Sequence, residues 1–214
     1  FDLTFVMFGA AVILGYFFAT ENKVPCASYT AELCIISGLA GIGGALAVFV
    51  FNHAVRIGHF GFTNAIYRSS FLILLFGVKL NTATGAGILA ILISIFLISW
   101  SNEAFSKDRT NLPWFLLSLC AFALSGLPRI GQLLISHNRL NSFAYLFASY
   151  ACGFILLLLV LLIRRRRIKT TALLYGILAA LASYAGVYFS IESLKLLPAS
   201  IVFPITLSAP IMLG

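Results

Sequence analysis

Arg68 lies six residues into an apolar run that begins at Phe62, with Asn64, Tyr67, Ser69 and Ser70 beside it. At 1.5 Å per helical residue it sits about 9 Å from that end. A cation at such depth in hydrocarbon is costly unless it meets protein or water. Its chemistry would be recognition of a carboxylate or phosphate through paired N–H donors. The plainer reading is a structural Arg that bonds helix carbonyls or reaches back to the surface.

Arg129 and Gln132 form a second candidate. They follow Gly126-Leu127-Pro128, a sequence that bends a helix and releases carbonyls. Arg129 either satisfies those carbonyls or faces a solute. Tyr184 and Tyr188 precede Glu192 and Lys195 at helical spacing, so the four share one face. Asn52, His53 and Arg56 crowd the end of an earlier segment in the same way. Such a stripe is either a polar cavity wall or an interfacial belt. Pro204 and Pro210 predict a broken or bent last segment. A break of that kind exposes backbone groups to a solute, or it simply serves packing. The substrate-binding candidates are therefore Arg68, Asn64, Tyr67, Arg129, Gln132, Tyr184, Tyr188 and Pro204.

Catalytic sets are not visible. The six acids (Asp2, Glu21, Glu32, Glu103, Asp108 and Glu192) all stand at or near segment ends. Neither the histidines (His53, His59, His137) nor the four cysteines have metal-ligand spacing. Nothing resembles a nucleophile elbow, a phosphate-binding Gly loop or a zinc helix. No metal, no cofactor and no enzymatic activity are expected.

The elements that must position these residues follow from composition. The chain is 61% hydrophobic and 9% charged, too few charges to cover a soluble domain of this length. Apolar runs divide it into about eight segments of roughly membrane-spanning length: 1–19, 33–57, 62–78, 83–101, 113–136, 142–163, 171–195 and 199–214. A bilayer core demands internally bonded backbone, so these are helices. The net charge of +8 sits mostly in the short breaks, which is a topology signal and excludes nucleic acid as partner. Arg164 to Arg167 with Lys169 reads as a loop touching anionic headgroups. One side carries Arg56, Lys107, Arg109 and that loop; the other carries Lys23, Lys79, Arg139 and Lys195. The first side should be cytoplasmic, which places the start of the chain inside. Cys34, Cys120 and Cys152 read as small packing residues, and Cys26 lies in a polar loop. The chain begins and ends inside hydrophobic runs and reads as a fragment, without a signal peptide.

The segments also repeat. His53-Ala54-Val55-Arg56 closes one, and about 139 residues later Glu192-Ser193-Leu194-Lys195 closes another. Phe8, Gly9 and Gly15 match Phe147, Ala148 and Gly153 at nearly the same offset. Segments 1–19, 33–57 and 62–78 thus pair with 142–163, 171–195 and 199–214. The simplest completion adds one helix at each end. The expected fold is an all-α integral membrane bundle: about eight helices of a ten-helix transporter built as a five-plus-five inverted repeat. Residues 1–101 form the first repeat, lacking its first helix. Residues 102–112 are a linker, and 113–214 form the second repeat, lacking its last helix. Runs such as Gly38 to Ala45 permit close helix approach.

The run Ala54-Val55-Arg56-Ile57-Gly58, then Asn64-Ala65-Ile66-Tyr67-Arg68, then Leu75 to Asn81 and Gly85 to Leu89, resembles one half of an EamA-type transporter of the drug/metabolite transporter superfamily. Leu196 to Ile205 resembles the same region of the other half. The resemblance covers nearly the whole chain, through diffuse patterns of small and apolar residues. Lys79 stands where the family often has Glu. The resemblance implies ten helices with both termini inside, which would start segment 1–19 outside, opposite to the Lys/Arg count. It also implies a substrate cavity lined by segments 33–57, 62–78, 171–195 and 199–214.

The function expected is secondary transport of a small organic metabolite by alternating access, in the plasma (inner) membrane, by a monomer or homodimer. Its partners are the bilayer and the solute. Arg68 and Arg129 favour an anionic or zwitterionic solute. Two other classes stay open: a membrane enzyme for lipid headgroups using His53, Arg56 and Glu192, and a non-transporting scaffold.

Overall fold

The computed structural model describes residues 1–58, 60–71, 111–164, 168 and 170–212. The expected segment 83–101, Lys79 and most of the linker lie outside the described residues. Among the described residues seven α-helices follow in order: α1 (Asp2–Glu21), α2 (Ala31–Ile57), α3 (Phe60–Arg68), α4 (Asn111–His137), α5 (Ser142–Arg164), α6 (Thr170–Leu196) and α7 (Ala199–Met212). Short 3₁₀ turns span Cys26–Ser28 and Ser69–Phe71. No strand occurs among the described residues. Among the described residues five helices are long and apolar enough to cross a membrane: α1, α2, α4, α5 and α6. In a bilayer this is the way their backbone groups are satisfied.

Local chemistry sets the helix ends. Thr30 Oγ1 accepts from Leu33 N (3.2 Å) and starts α2. Asn141 Oδ1 accepts from Phe143 N and Ala144 N (3.0 and 3.1 Å) and starts α5. These are side-chain caps for otherwise unbonded donors. At the other ends, α1 and α4 close with the same turn. Lys23 N donates to Thr20 O and Val24 N to Ala19 O; Arg139 N donates to Ser136 O and Leu140 N to Ile135 O. Both turns need a left-handed residue, and Lys23 (φ 49°) and Arg139 (φ 51°) supply it. Pro128 lies inside α4 without ending it. Of the break or bend expected at Pro204 and Pro210, a break does not occur, because α7 runs through both to Met212.

Contacts divide the chain into two compact units: Phe1–Ala45 with Leu127–Gly214, and Leu46–Gly126. In the first unit α1 packs against both α5 and α6. Its core joins Phe5, Phe8 and Ala11 of α1 with Leu33 and Ala40 of α2, Ile135 of α4, Tyr145, Leu146 and Tyr150 of α5, and Ala180, Tyr184 and Ile191 of α6. The ends of α1, α4 and α6 meet the starts of α2 and α5 at one end of this unit, where Asn138 Nδ2 donates to Glu32 Oε1 (2.5 Å) and Ser142 Oγ to Glu192 Oε1 (2.8 Å). Hence α1 and α6 run toward that end, and α2 and α5 run away from it.

Glycines set the spacing. A Cβ on Gly41 of α2 would overlap the Ser149 carbonyl oxygen of α5, and one on Gly153 would overlap the Phe8 ring. One on Gly176 of α6 would come within 2.6 Å of Val6. Small residues let membrane helices approach this closely, which is how dispersion holds them together without a hydrophobic drive between them.

In the second unit, α3 is tied to the first half of α4. Trp114 Nε1 donates to the buried Thr63 Oγ1 (2.8 Å), and Ser125 Oγ donates to Tyr67 O (3.3 Å). The Tyr67 and Phe51 ring centroids are 4.8 Å apart. Gly58 leaves room for the Trp114 indole, which a Cβ there would overlap. Cys34 and Cys120 are exposed rather than packed as expected, and Cys152 is half-buried.

Candidate functional site

Polar residues of α4 recur at 129, 132 and 136, so they lie along one helix face. Gln132 and Ser136 are buried, with Gln132 only 2% exposed. Gln132 Oε1 accepts from the buried Ser190 Oγ of α6 (3.3 Å). The Arg129 guanidinium lies 5.9 Å from the Phe203 ring centroid of α7, a cation–π distance. One turn away, Tyr145 of α5 donates its hydroxyl to Pro128 O (3.3 Å). Gly131 makes room for that hydroxyl, since a Cβ there would stand 2.7 Å from it. Four helices thus converge on a polar cluster within the apolar bundle. Such groups are expensive in hydrocarbon, which makes the cluster with its Arg129 a candidate functional site.

Beyond Ser136 the helix end opens into a cleft of about 490 Å³, lined by Ser28, Thr30, Arg139, Asn141, Ser142, Phe143, Glu192 and Lys195 among others. One three-membered network organises it. Ser142 Oγ donates to Glu192 Oε1 (2.8 Å), while Lys195 Nζ reaches both Glu192 Oε1 (2.7 Å) and Ser142 Oγ (3.1 Å). Glu192 and Lys195 are i and i+3 on α6, and the start of α5 brings Ser142 to them. Tyr29, between the cleft residues Ser28 and Thr30, sets its ring edge-on to Phe147. Burial, then the neighbouring Cys26 and Cys34, push its phenol above the usual value.

Phe143 joins the cleft to an aromatic stack. Its ring lies 5.0 Å from Tyr188 and 6.3 Å from Phe18, nearly parallel to each. Phe18 stacks in turn on Tyr184 (5.6 Å), which lies 6.1 Å from Tyr150. Among the described residues, the Tyr184 hydroxyl is buried without a hydrogen-bond partner, as is Ser37 Oγ. A buried polar group without a partner needs a reason.

Arg129 and Gln132 share the polar cluster, and Tyr184 and Tyr188 form the stack under the cleft. Pro204 lies in α7, one residue beyond Phe203. Arg68, Asn64 and Tyr67 belong to the second unit, at the end of α3, where Arg68 Nε donates to Asn64 Oδ1 at 3.5 Å. Sequence reasoning overlooked Ser190, Ser142, Asn141 and Arg139 as site residues. Arg139 stood out only as a loop charge. The signal that marks Asn141 and Ser142 is the run Asn138-Arg139-Leu140-Asn141-Ser142, a helix stop followed directly by a cap; no local pattern marks Ser190.

No family model matches the chain, and neither a curated protein nor a solved structure is found similar to it.

Proposed function

We propose that this chain is a secondary transporter of a small organic metabolite, an EamA-like member of the drug/metabolite transporter superfamily that works by alternating access between two inverted five-helix repeats. The observation that carries the reading is the way equivalent helices meet in the first unit. Helices α2 and α6 are both 27 residues long and start 139 apart, and α3 and α7 also start 139 apart. Copies α1 and α5 run in opposite directions, and so do α2 and α6.

Contact registers agree with this. Val6 meets Gly176. Moving each by 139 residues into the other copy gives Tyr145 and Ser37, which are 108 apart in sequence. Gly41 and Ser149, which are in contact, are also 108 apart. Likewise Phe147 packs on Gly15, and its equivalent Phe8 packs on Gly153. An element that packs on its own copy through the same face is what a two-fold relation produces. In transporters such repeats flank the solute site near mid-bilayer. The cluster of Arg129, Gln132 and Ser190 is the material for it, with Arg68 a further candidate on the first copy. An anionic or zwitterionic solute suits these residues.

The reading is tested by reconstituting the full-length protein in vesicles and measuring flux of pooled radiolabelled metabolites. Saturable flux that Arg129→Gln reduces is the expected result. Absence of flux for every pool would leave a scaffold as the better account.

A further inference from the structure

We infer that the cleft at the end of the first unit binds a small solute bearing a carboxylate or phosphate, and that Arg139 is the group that recognises it. This rests on the transporter reading and adds to it the chemical class of the solute and a site apart from the Arg129 cluster. The cleft's volume, about 490 Å³, is in the range of small-molecule sites.

Its charges decide what it takes. Lys195 is neutralised by Glu192 at 2.7 Å, with Ser142 bridging the two. Glu32, nearby on α2, accepts from Asn138. Arg139 lines the cleft and is exposed, and no ion pair or hydrogen bond engages its side chain among the described residues. One uncompensated guanidinium therefore faces the cavity. Its planar fork matches carboxylate and phosphate oxygens in pairs. Around it stand further donors. Asn141 uses its carbonyl oxygen to cap α5, which leaves its amide nitrogen to donate. Thr30 accepts from Leu33 N through its oxygen, which leaves the hydroxyl proton. Phe143 supplies an apolar wall.

Backbone geometry sharpens the assignment. Arg139 holds a left-handed conformation that glycine adopts freely. Lys23 does the same at the end of α1, so the conformation alone carries nothing. The difference is that Arg139 lines the cleft and Lys23 is absent from its wall.

The test uses the purified full chain in phosphatidylcholine nanodiscs, titrated calorimetrically with succinate and with inorganic phosphate. Wild type is expected to bind at least one of them saturably. Arg139→Gly, which suits the turn, should weaken that binding by about tenfold or more, as loss of a charge-assisted pair implies. Arg139→Lys should keep part of it, and Lys23→Gln all of it. Repeating the titration in discs containing phosphatidylglycerol separates the sources. Competition there, lost in Arg139→Gly, assigns a lipid headgroup; unchanged affinity assigns a free solute; both keep Arg139 as the reader. No saturable binding by wild type in phosphatidylcholine discs, or equal binding by Arg139→Gly, overturns the inference. Binding without flux would keep the site and remove the transporter reading. Flux indifferent to Arg139→Gly, with no binding, would do the reverse.

Discussion

Gly41 of α2 and Ser149 of α5 are in backbone contact, with no room for a Cβ between them. This contact fixes how closely the two helices approach. Gly41→Ala should destabilise the protein by about 1–3 kcal/mol, because the obstacle is a carbonyl and not a flexible side chain. Gly38 and Gly186 have open space where a Cβ would go, so Ala at either should be neutral or stabilise by up to about 1 kcal/mol through helix propensity. Thermal unfolding of the three variants in one detergent checks the order.

The cleft network gives a second expectation. The Glu192 and Lys195 side chains are between 31% and 37% exposed, so water screens their attraction. A double-mutant cycle of Glu192→Gln and Lys195→Met should return a coupling of only about 0.5–1 kcal/mol. Coupling above about 3 kcal/mol would mean that the pair is sealed from water in the membrane-embedded protein.

Arg139 and Lys23 offer a third. Left-handed backbone costs a residue with a side chain about 1–2 kcal/mol. Gly relieves this, but gains freedom in the unfolded chain worth about 0.4–1 kcal/mol and forfeits a helix-end cation worth about 0.3–1 kcal/mol. The terms nearly cancel, so Arg139→Gly and Lys23→Gly should each melt within a few degrees of wild type. Valine at either position should lower the melting temperature clearly.

Sidedness is the fourth. At the cleft end Lys23, Arg139 and Lys195 are matched by Glu21, Glu32 and Glu192, whereas the stretch that connects the opposite ends of α5 and α6 reads Arg164 to Arg167 and Lys169. Positive charge stays in the cytoplasm. In a variant keeping only Cys26, an impermeant maleimide should label intact cells. With Cys placed only at Ile168, labelling should require permeabilisation. The opposite pattern would put the cleft in the cytoplasm.

The Arg129 cluster, on the transporter reading, supplies the fifth. Gln132→Leu removes the acceptor that the buried Ser190 hydroxyl uses, and Ser190→Ala removes the donor. Each should lower flux severalfold while the amount of membrane-inserted protein stays constant. The pair of substitutions together should cost less than the sum, since each alone leaves a partner unsatisfied. Flux assays alongside quantitative blotting check this.

By itself the sequence determined the helices and their spacing. Apolar runs long enough to span a bilayer must bond their own backbone, so α1, α2, α4, α5 and α6 begin and end within about two residues of the sequence segments. The 139-residue interval was equally legible, because the helix starts at 31 and 170 follow where the apolar runs begin. Only the tertiary structure decided which faces meet. Gly41 and Gly38 look alike in sequence, yet one touches Ser149 and the other touches nothing. Arg139 and Lys23 end their helices in the same turn, yet only Arg139 lines the cleft. Arg129, Gln132 and Ser190 meet because α4, α6 and α7 pack together, and no local pattern states that. The physical reason is that helix formation in lipid is a local demand of the backbone. Helix association rests instead on dispersion between particular surfaces, and that depends on which small residues happen to face each other.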